Sequence, residues 1–527
     1  MNKLLKILIF IITTSFISPH LYASEVVRLE NKIFDNSIYK PSKNEILELL
    51  KKEGNNKYWY GLYLGNEKIG WAAIESRTYQ SDKFNQPVFE MDGKFNLSVK
   101  VSGNDGTSFL SSTKFSLNEI YQAKAPFKLI EHHEKYQIDE TESSILAEAQ
   151  GLNFKIEYKD NEEKNSTEIL LENLDYSLYD MLATYAWYAN NTKKINDTIS
   201  YATFSFQELK YILTQDTIEE ITKKKVSGVD FTYYKVNSLD RGEIEEENLS
   251  FQSLIDQDGL EIKFFIGDFE LRLETEKNAK NTELVSDVFV DLGIVVENSF
   301  PTDFYDKNSS MVTYEVIGDA SSIYKKGNHS YKVLEDGTKI LTVGADENQD
   351  QFFLMESATI EQRKYYLNDT PSFPHNSKIV KDLSKEALLE EKNDIEKIFK
   401  LSEFVSDYVV DDYESNSLSV FDVIERKIGD CTEHTQLFVN LARAAGMPAR
   451  EVSGWVYVGT NKLMPHAWAE VAVNTVDQNF LWIPVDPTWN IVNPTNLIKA
   501  IANESFLNKF SLKVKKIVYD DGEVTIY

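Results

Sequence analysis

The 527-residue sequence predicts an α+β protein: a large β-rich antiparallel region, a smaller β-sandwich-like unit, and a C-terminal part in which helices lie against an antiparallel sheet. Three observations lead to that class. Between about residues 58 and 276, apolar and polar residues alternate with the period of a strand, as in Phe95, Leu97, Val99 and Val101 or Leu152, Phe154, Ile156 and Tyr158. From 393 to 445 the apolar residues change to helical spacing, and from 451 to 485 they return to strands. Aromatics are frequent, with 28 Tyr and 30 Phe, which suits half-buried pleated surfaces.

Length suggests about three domains behind a leader. Lys3 and Lys6 precede a largely apolar stretch, and Ala23 is a small residue before a cut. Residues 1–23 therefore read as a secretory signal peptide, too short and too soon followed by polar chain for a membrane anchor. The expected protein is exported, periplasmic or secreted, without stable membrane insertion once the leader is removed. No cysteine lies near the cut to take a lipid. The formal net charge of −28 and pI near 4.8 argue against nucleic acid or an anionic membrane as partner.

In the region 24–283, a helix is expected over 41–54. Ser42 and Glu45 form a capping box, Ile46, Leu49 and Leu50 an apolar stripe, and Gly54 a stop. Gly65-Asn66 signals a hairpin between 58–64 and 68–74. Helices are expected to interrupt the strands over 174–188 and 206–213, and 276–283 reads as a polar linker. In the unit 284–370, Asp336-Gly337 marks another hairpin. Pro371 and Pro374 open the last domain, 371–527. There, helices over 393–409 and 418–426 lead to a third that opens at Asp430 or Cys431. It carries Phe438, Leu441, Ala442 and Ala445 on one face and stops at Gly446 and Pro448. Strands follow over 451–458, 466–473 and 481–485, and a last strand over 512–519 is expected to complete their sheet.

Chemistry concentrates between Gly429 and Trp489. Cys431 is the one cysteine of the chain. Exported proteins use cysteines mostly in pairs, so a lone one is a buried thiol, an intermolecular link or a reactive group. Placement in the first turn of a helix surrounds it with unpaired N–H groups and the positive end of the dipole. Both favour thiolate, the nucleophilic form, and both could hold an oxyanion. Strand alternation puts His466, Trp468 and Glu470 on one face, and Asp486 ends the next strand beside Trp482 and Pro484. A thiol, an imidazole and a carboxylate on three successive elements are the parts of an activated cysteine nucleophile.

The segments GDCTEHTQLFVNLARAAGMPAREVSGWVYVG, HAWAEVAV and WIPVDPTW resemble the core of the transglutaminase-like superfamily, of the bacterial exported type. The resemblance covers roughly 371 to the C-terminus. It implies a papain-like α+β fold with Cys431 as nucleophile, His466 as base and Asp486 as the carboxylate that orients the ring. It implies fold and triad more firmly than substrate, since the family includes transglutaminases, peptidases and amidases. The function so implied is amide-bond chemistry through a thioester: hydrolysis by default, transamidation if an amine replaces water. The substrate would be a protein or peptide. The alternative is a non-catalytic envelope protein that uses the large β region to bind a partner.

Several neighbours compete for roles. His434, on the same helical face as Cys431, is a rival base, although a structural role is the favoured reading. Glu433 and Glu470 read as solvated or structural. Trp468 and Trp489 are candidates to line a substrate groove. His132 and His133, adjacent in a strand, point to opposite faces, a poor metal geometry. No acidic loop offers the calcium site that animal transglutaminases use, and no cofactor is implied.

Overall fold

The computed structural model describes residues 26–29 and 38–527, with intervening segments left out, the longest of them 282–288, 345–354 and 502–509. The leader, 1–23, lies outside the described residues. The protein is α+β. It divides into two compact units, one ending at Val290 and one beginning at Asp291.

The first unit is one long, mainly antiparallel sheet. Strands from Asn55–Leu64 to Ser166–Glu172 form a meander in chain order. A second meander runs from Thr198–Ser205 to Phe269–Glu274, and its last strand pairs with Asn55–Leu64 to join the two. The helix Lys43–Glu53 forms as the sequence predicts, with the Ser42–Glu45 capping box in place and Ile46, Leu49 and Leu50 buried. Gly65 turns the first hairpin with φ 60°, a left-handed conformation that glycine adopts without cost. The helix expected over 174–188 is two short ones, Leu178–Met181 and Ala183–Ala189.

The helix expected over 206–213 does not exist. Thr198–Ser205 and Lys210–Val226 are paired strands, and the turn between them has Leu209 at φ 50°. Phe206 and Leu209 are both buried, and Phe206 stacks on His132 at 4.0 Å. Their three-residue spacing therefore reports two anchors of a turn, not one face of a helix. The polar segment 276–283 opens with the short helix Glu276–Ala279, capped by Thr275.

In the second unit, helices Lys378–Leu388, Asp394–Tyr408, Val420–Arg426 and Cys431–Ala444 pack on a sheet built on Ala449–Tyr457, Lys462–Asn474 and Phe480–Asp486. Leu437, Phe438, Leu441 and Ala442 of the last helix share a core with Ala469, Val471, Val473, Ile483 and Val485. These odd-numbered strand residues form one face, as alternation requires.

A second sheet takes Ser309–Gly318, His329–Val333 and Lys339–Gly344 from the segment 284–370 and Phe510–Tyr519 and Val524–Ile526 from the end of the chain. The last strand therefore pairs with Ser309–Gly318 and does not complete the histidine-bearing sheet. The Asp336-Gly337 hairpin forms, with Gly337 at φ 87°. Val312, Tyr314, Leu341, Leu512 and Ile517 bury against Trp455, Tyr457, Leu463 and Ile498 of the helix-backed sheet. Apolar side chains of the 284–370 segment are thus satisfied by sequence far from it, within one compact unit.

Candidate active site

The helix Cys431–Ala444 begins at the cysteine because Asp430 caps it. Asp430 Oδ1 accepts from the Thr432 N–H at 2.7 Å, and Glu433 Oε2 accepts from the Asp430 N–H at 2.9 Å. Gly429 makes that box possible. A Cβ there would stand 2.3 Å from Glu433 Cβ. Gly429→Ala is therefore expected to cost about 1–3 kcal/mol as an overpacking change, read from the urea midpoint. A neutral result would mean that the helix start adjusts freely.

His434 fastens the same turn. Its Nδ1 bonds the Asp430 carbonyl at 2.7 Å and its Nε2 the Val409 carbonyl at 3.2 Å. Both ring nitrogens face backbone acceptors, so the imidazole is occupied in holding the helix start to the preceding segment. Nothing in this arrangement offers a lone pair to Cys431.

The other side of the site comes from the sheet. His466 lies in Lys462–Asn474, and the ladder that sets Ala469 opposite Val485 brings Asp486 to the His466 end of the neighbouring strand. His466 Nε2 donates to Asp486 Oδ2 at 2.8 Å. Asp486 Oδ1 accepts from the Thr488 N–H at 3.1 Å, so both carboxylate oxygens are fixed. After Asp486, Cys431 is the next group that raises the pKa of the same imidazole. Cys431 is half-buried, His466 is 6% exposed and Asp486 1%. The structure thus brings together Cys431, His466 and Asp486 from one helix and two strands.

Burial alone would push His466 down. The Asp486 carboxylate, its hydrogen bond and then Cys431 outweigh that, and the pKa rises to about 10. The group is raised above its ordinary 6.5, so its contribution to stability is complete below pH 6.5 and is lost as pH climbs through about 10. Wild type should lose stability relative to His466→Gln by up to about 1.4 kcal/mol per pH unit across that window. Parallel slopes in chemical denaturation would contradict the ion pair.

Two tryptophans were candidates for a groove, and they differ. Trp468 is 1% exposed and packs with Val456 and Leu497, with Gly454 making room for its ring. It is core, and the expectation that it lines a substrate groove is corrected. Strand alternation places it on the His466 face but cannot show that the 497–499 strand joins the same sheet beyond Ala449–Tyr457 and sets Leu497 and Val456 against its ring across Gly454. Trp489 is 39% exposed and stacks on the His466 imidazole, with centroids 4.6 Å apart and planes 10° apart.

Glu470 is also buried rather than solvated. It accepts from Arg450 Nε at 2.8 Å and from Lys499 Nζ at 2.8 Å. Burial alone would raise its pKa, but the two cations hold the carboxyl down to about 2. The sequence alone did not single out Arg450 or Lys499. Arg450 pairs in register with Glu470 across the hairpin, a signal that strand alternation carries once the register is known. Glu433 serves the capping box described above.

In the first unit, His132 is wedged between Glu119 at 2.8 Å and Glu134 at 2.9 Å, while its neighbour His133 takes no part. Among the described residues, no group of three or more His, Cys, Asp or Glu is placed to hold a metal ion.

Residues 381–487 match the family model of the transglutaminase-like superfamily. No curated protein matches the sequence. Among solved structures, the periplasmic domain of TgpA from Pseudomonas aeruginosa is 15% identical, covering 38% of this chain and 81% of that one with a TM-score of 0.24. A Cytophaga hutchinsonii protein described as a candidate cysteine protease is 16% identical over 42% of this chain and 89% of that one, with a TM-score of 0.26. A β-barrel-like protein from Brucella abortus, of a domain family of unknown function, is 10% identical over 42% of this chain and 95% of that one, with a TM-score of 0.28.

Proposed function

We propose that this chain, whose residues 381–487 carry a transglutaminase-like core, is an exported cysteine enzyme that opens amide bonds through a thioester. The observation that carries the reading is a single imidazole, His466, bound by Asp486 on Nε2 and raised in pKa by both Asp486 and Cys431. An imidazolium beside the sulfur is the electrostatic partner of a thiolate. The Cys431 sulfur attacks the amide carbonyl, and the positive end of its helix dipole favours the negative charge that develops on oxygen. His466 passes its proton to the departing amine, the C–N bond breaks, and a thioester remains. Neutral His466 then takes a proton from water as the water oxygen attacks the thioester; the C–S bond breaks, the carboxylic acid leaves, and the thiolate–imidazolium pair is restored.

An amine in place of water would give transamidation from the same acyl-enzyme. Hydrolysis is the proposed outcome, because water needs no acceptor site. Peptides or proteins are the proposed substrates. Export rests on residues 1–23. No helix among the described residues is long and apolar enough to cross a membrane.

The test is mass spectrometry of envelope and secreted protein from cells with wild type or Cys431→Ala. A peptide species formed only with wild type supports the reading and shows by its mass whether water or an amine was the acceptor. Identical spectra in every fraction would instead favour a binding protein built on an inactive core.

A further inference from the structure

The turn that follows Asp486 does two things at once. Its Thr488 N–H fixes Asp486 Oδ1, and the next residue, Trp489, lies flat on His466. The Thr488 carbonyl is itself tied to the helix Asp394–Tyr408 by Ser406 Oγ at 3.4 Å. Asn490 takes φ 54°, a left-handed conformation that asparagine tolerates, and closes the turn directly after the indole. Trp489 remains 39% exposed, so apolar burial does not account for its pose. A ring held flat on an imidazole at 4.6 Å presents its electron-rich face to it.

We propose that Trp489 is a positioning residue for the Cys431–His466 pair: its indole holds the imidazole in the plane set by Asp486 and favours the charged ring over the neutral one. The proposal rests on the reading of Cys431 and His466 as the reacting pair. It assigns Trp489 an action through His466, where the sequence suggested only contact with substrate. The charges that act on His466 are those of Asp486 from the adjoining strand and Cys431 from the helix. Asp430, beside the cysteine, is engaged by the Thr432 N–H. Lys499, across the ladder at Gly454, is paired with Glu470. Of the two indoles parallel to the ring, Trp489 lies nearer, at 4.6 Å against 6.4 Å for the buried Trp468.

The test uses the full-length mature protein and two alkylating agents that differ in charge, iodoacetate and iodoacetamide. In both reactions the Cys431 sulfur displaces iodide. A neighbouring cation speeds the anionic reagent selectively, so the ratio of the two rates reports the protonation of His466. In wild type the ratio should stay high until pH approaches about 10. In W489A and W489L the fall should move down by about half to one and a half pH units, and W489F should restore most of the wild-type profile. Leucine keeps bulk without a π face, so a wild-type profile in W489L would overturn the proposal, as would an unshifted W489A. If W489A does not fold, the leucine and phenylalanine variants decide. A His466→Ala protein whose ratio equals that of wild type would show instead that the underlying Cys–His pairing is wrong, whatever Trp489 does.

Discussion

His466→Ala is expected to slow acylation of Cys431 by about four orders of magnitude, and Cys431→Ala to abolish it. Without the imidazole, the thiol loses its cationic partner and the leaving amine loses its proton donor. Both losses fall on the transition state, so kcat should drop far more than KM rises. Asp486→Asn should approach the same effect while keeping the shape of the site. An amide side chain could still bond Nε2, but without the charge that raises His466. His434→Gln supplies the contrast. Both nitrogens of His434 bond backbone carbonyls, so its loss should act through the helix start, lowering stability, with kcat changed less than tenfold once folding is allowed for. The measurement is single-turnover acylation by an activated amide or ester, followed as mass added to Cys431. Comparable rates in wild type and His466→Ala would sink the assignment, and a larger loss in His434→Gln than in His466→Ala would transfer the base to the other imidazole.

Legibility of this chain follows the range of the interactions. The capping box at Ser42 spans three residues and is legible from local chemistry; the box at Asp430, of the same span, is not assigned from the sequence, which reads Glu433 only as solvated or structural. The hairpin at Gly337 is equally local. Cys431 opens its helix and Asp486 closes its strand, whereas His466 lies inside Lys462–Asn474 and stands out by the motif around it rather than by its position. Failures came where distant sequence decides the environment. Phe206 and Leu209 have helical spacing, yet Phe206 stacks on His132 and Leu209 is buried at φ 50°, so they anchor a turn. Trp468 lies on the face that carries His466, and its packing with Val456 and with Leu497, brought alongside from a distant strand of the same sheet, makes it core. The strand Phe510–Tyr519 has no local feature that directs it to Ser309–Gly318 rather than to the histidine strand.

Glu470→Ala is expected to destabilise the protein by about 3–5 kcal/mol, the usual result of leaving buried charge without its partner. Arg450 and Lys499 would both remain, each under a tenth exposed, with Glu356 as the nearest acid at 3.6 Å from the Arg450 guanidinium. The consequence reaches the site because the cluster secures the strand that carries His466. Lys499 lies in the strand that pairs at Gly454, and Gly454 sits opposite His466 in the ladder. A Cβ at Gly454 would stand 2.0 Å from the Ile498 carbonyl, so these strands approach closely there and have little slack. Urea unfolding of wild type, Glu470→Ala, Lys499→Met and the double variant forms a cycle that isolates the pair. The double variant should be less damaged than the sum of its parts, since it removes one unpaired cation together with the acid. A depressed carboxyl also sets the sign of the pH effect: the stabilisation is complete above pH 4.5 and is lost as pH falls towards about 2. Strict additivity in the cycle, or a Glu470→Ala cost below about 1 kcal/mol, would show that water reaches the cluster and that the strand beneath His466 is held by its apolar contacts alone.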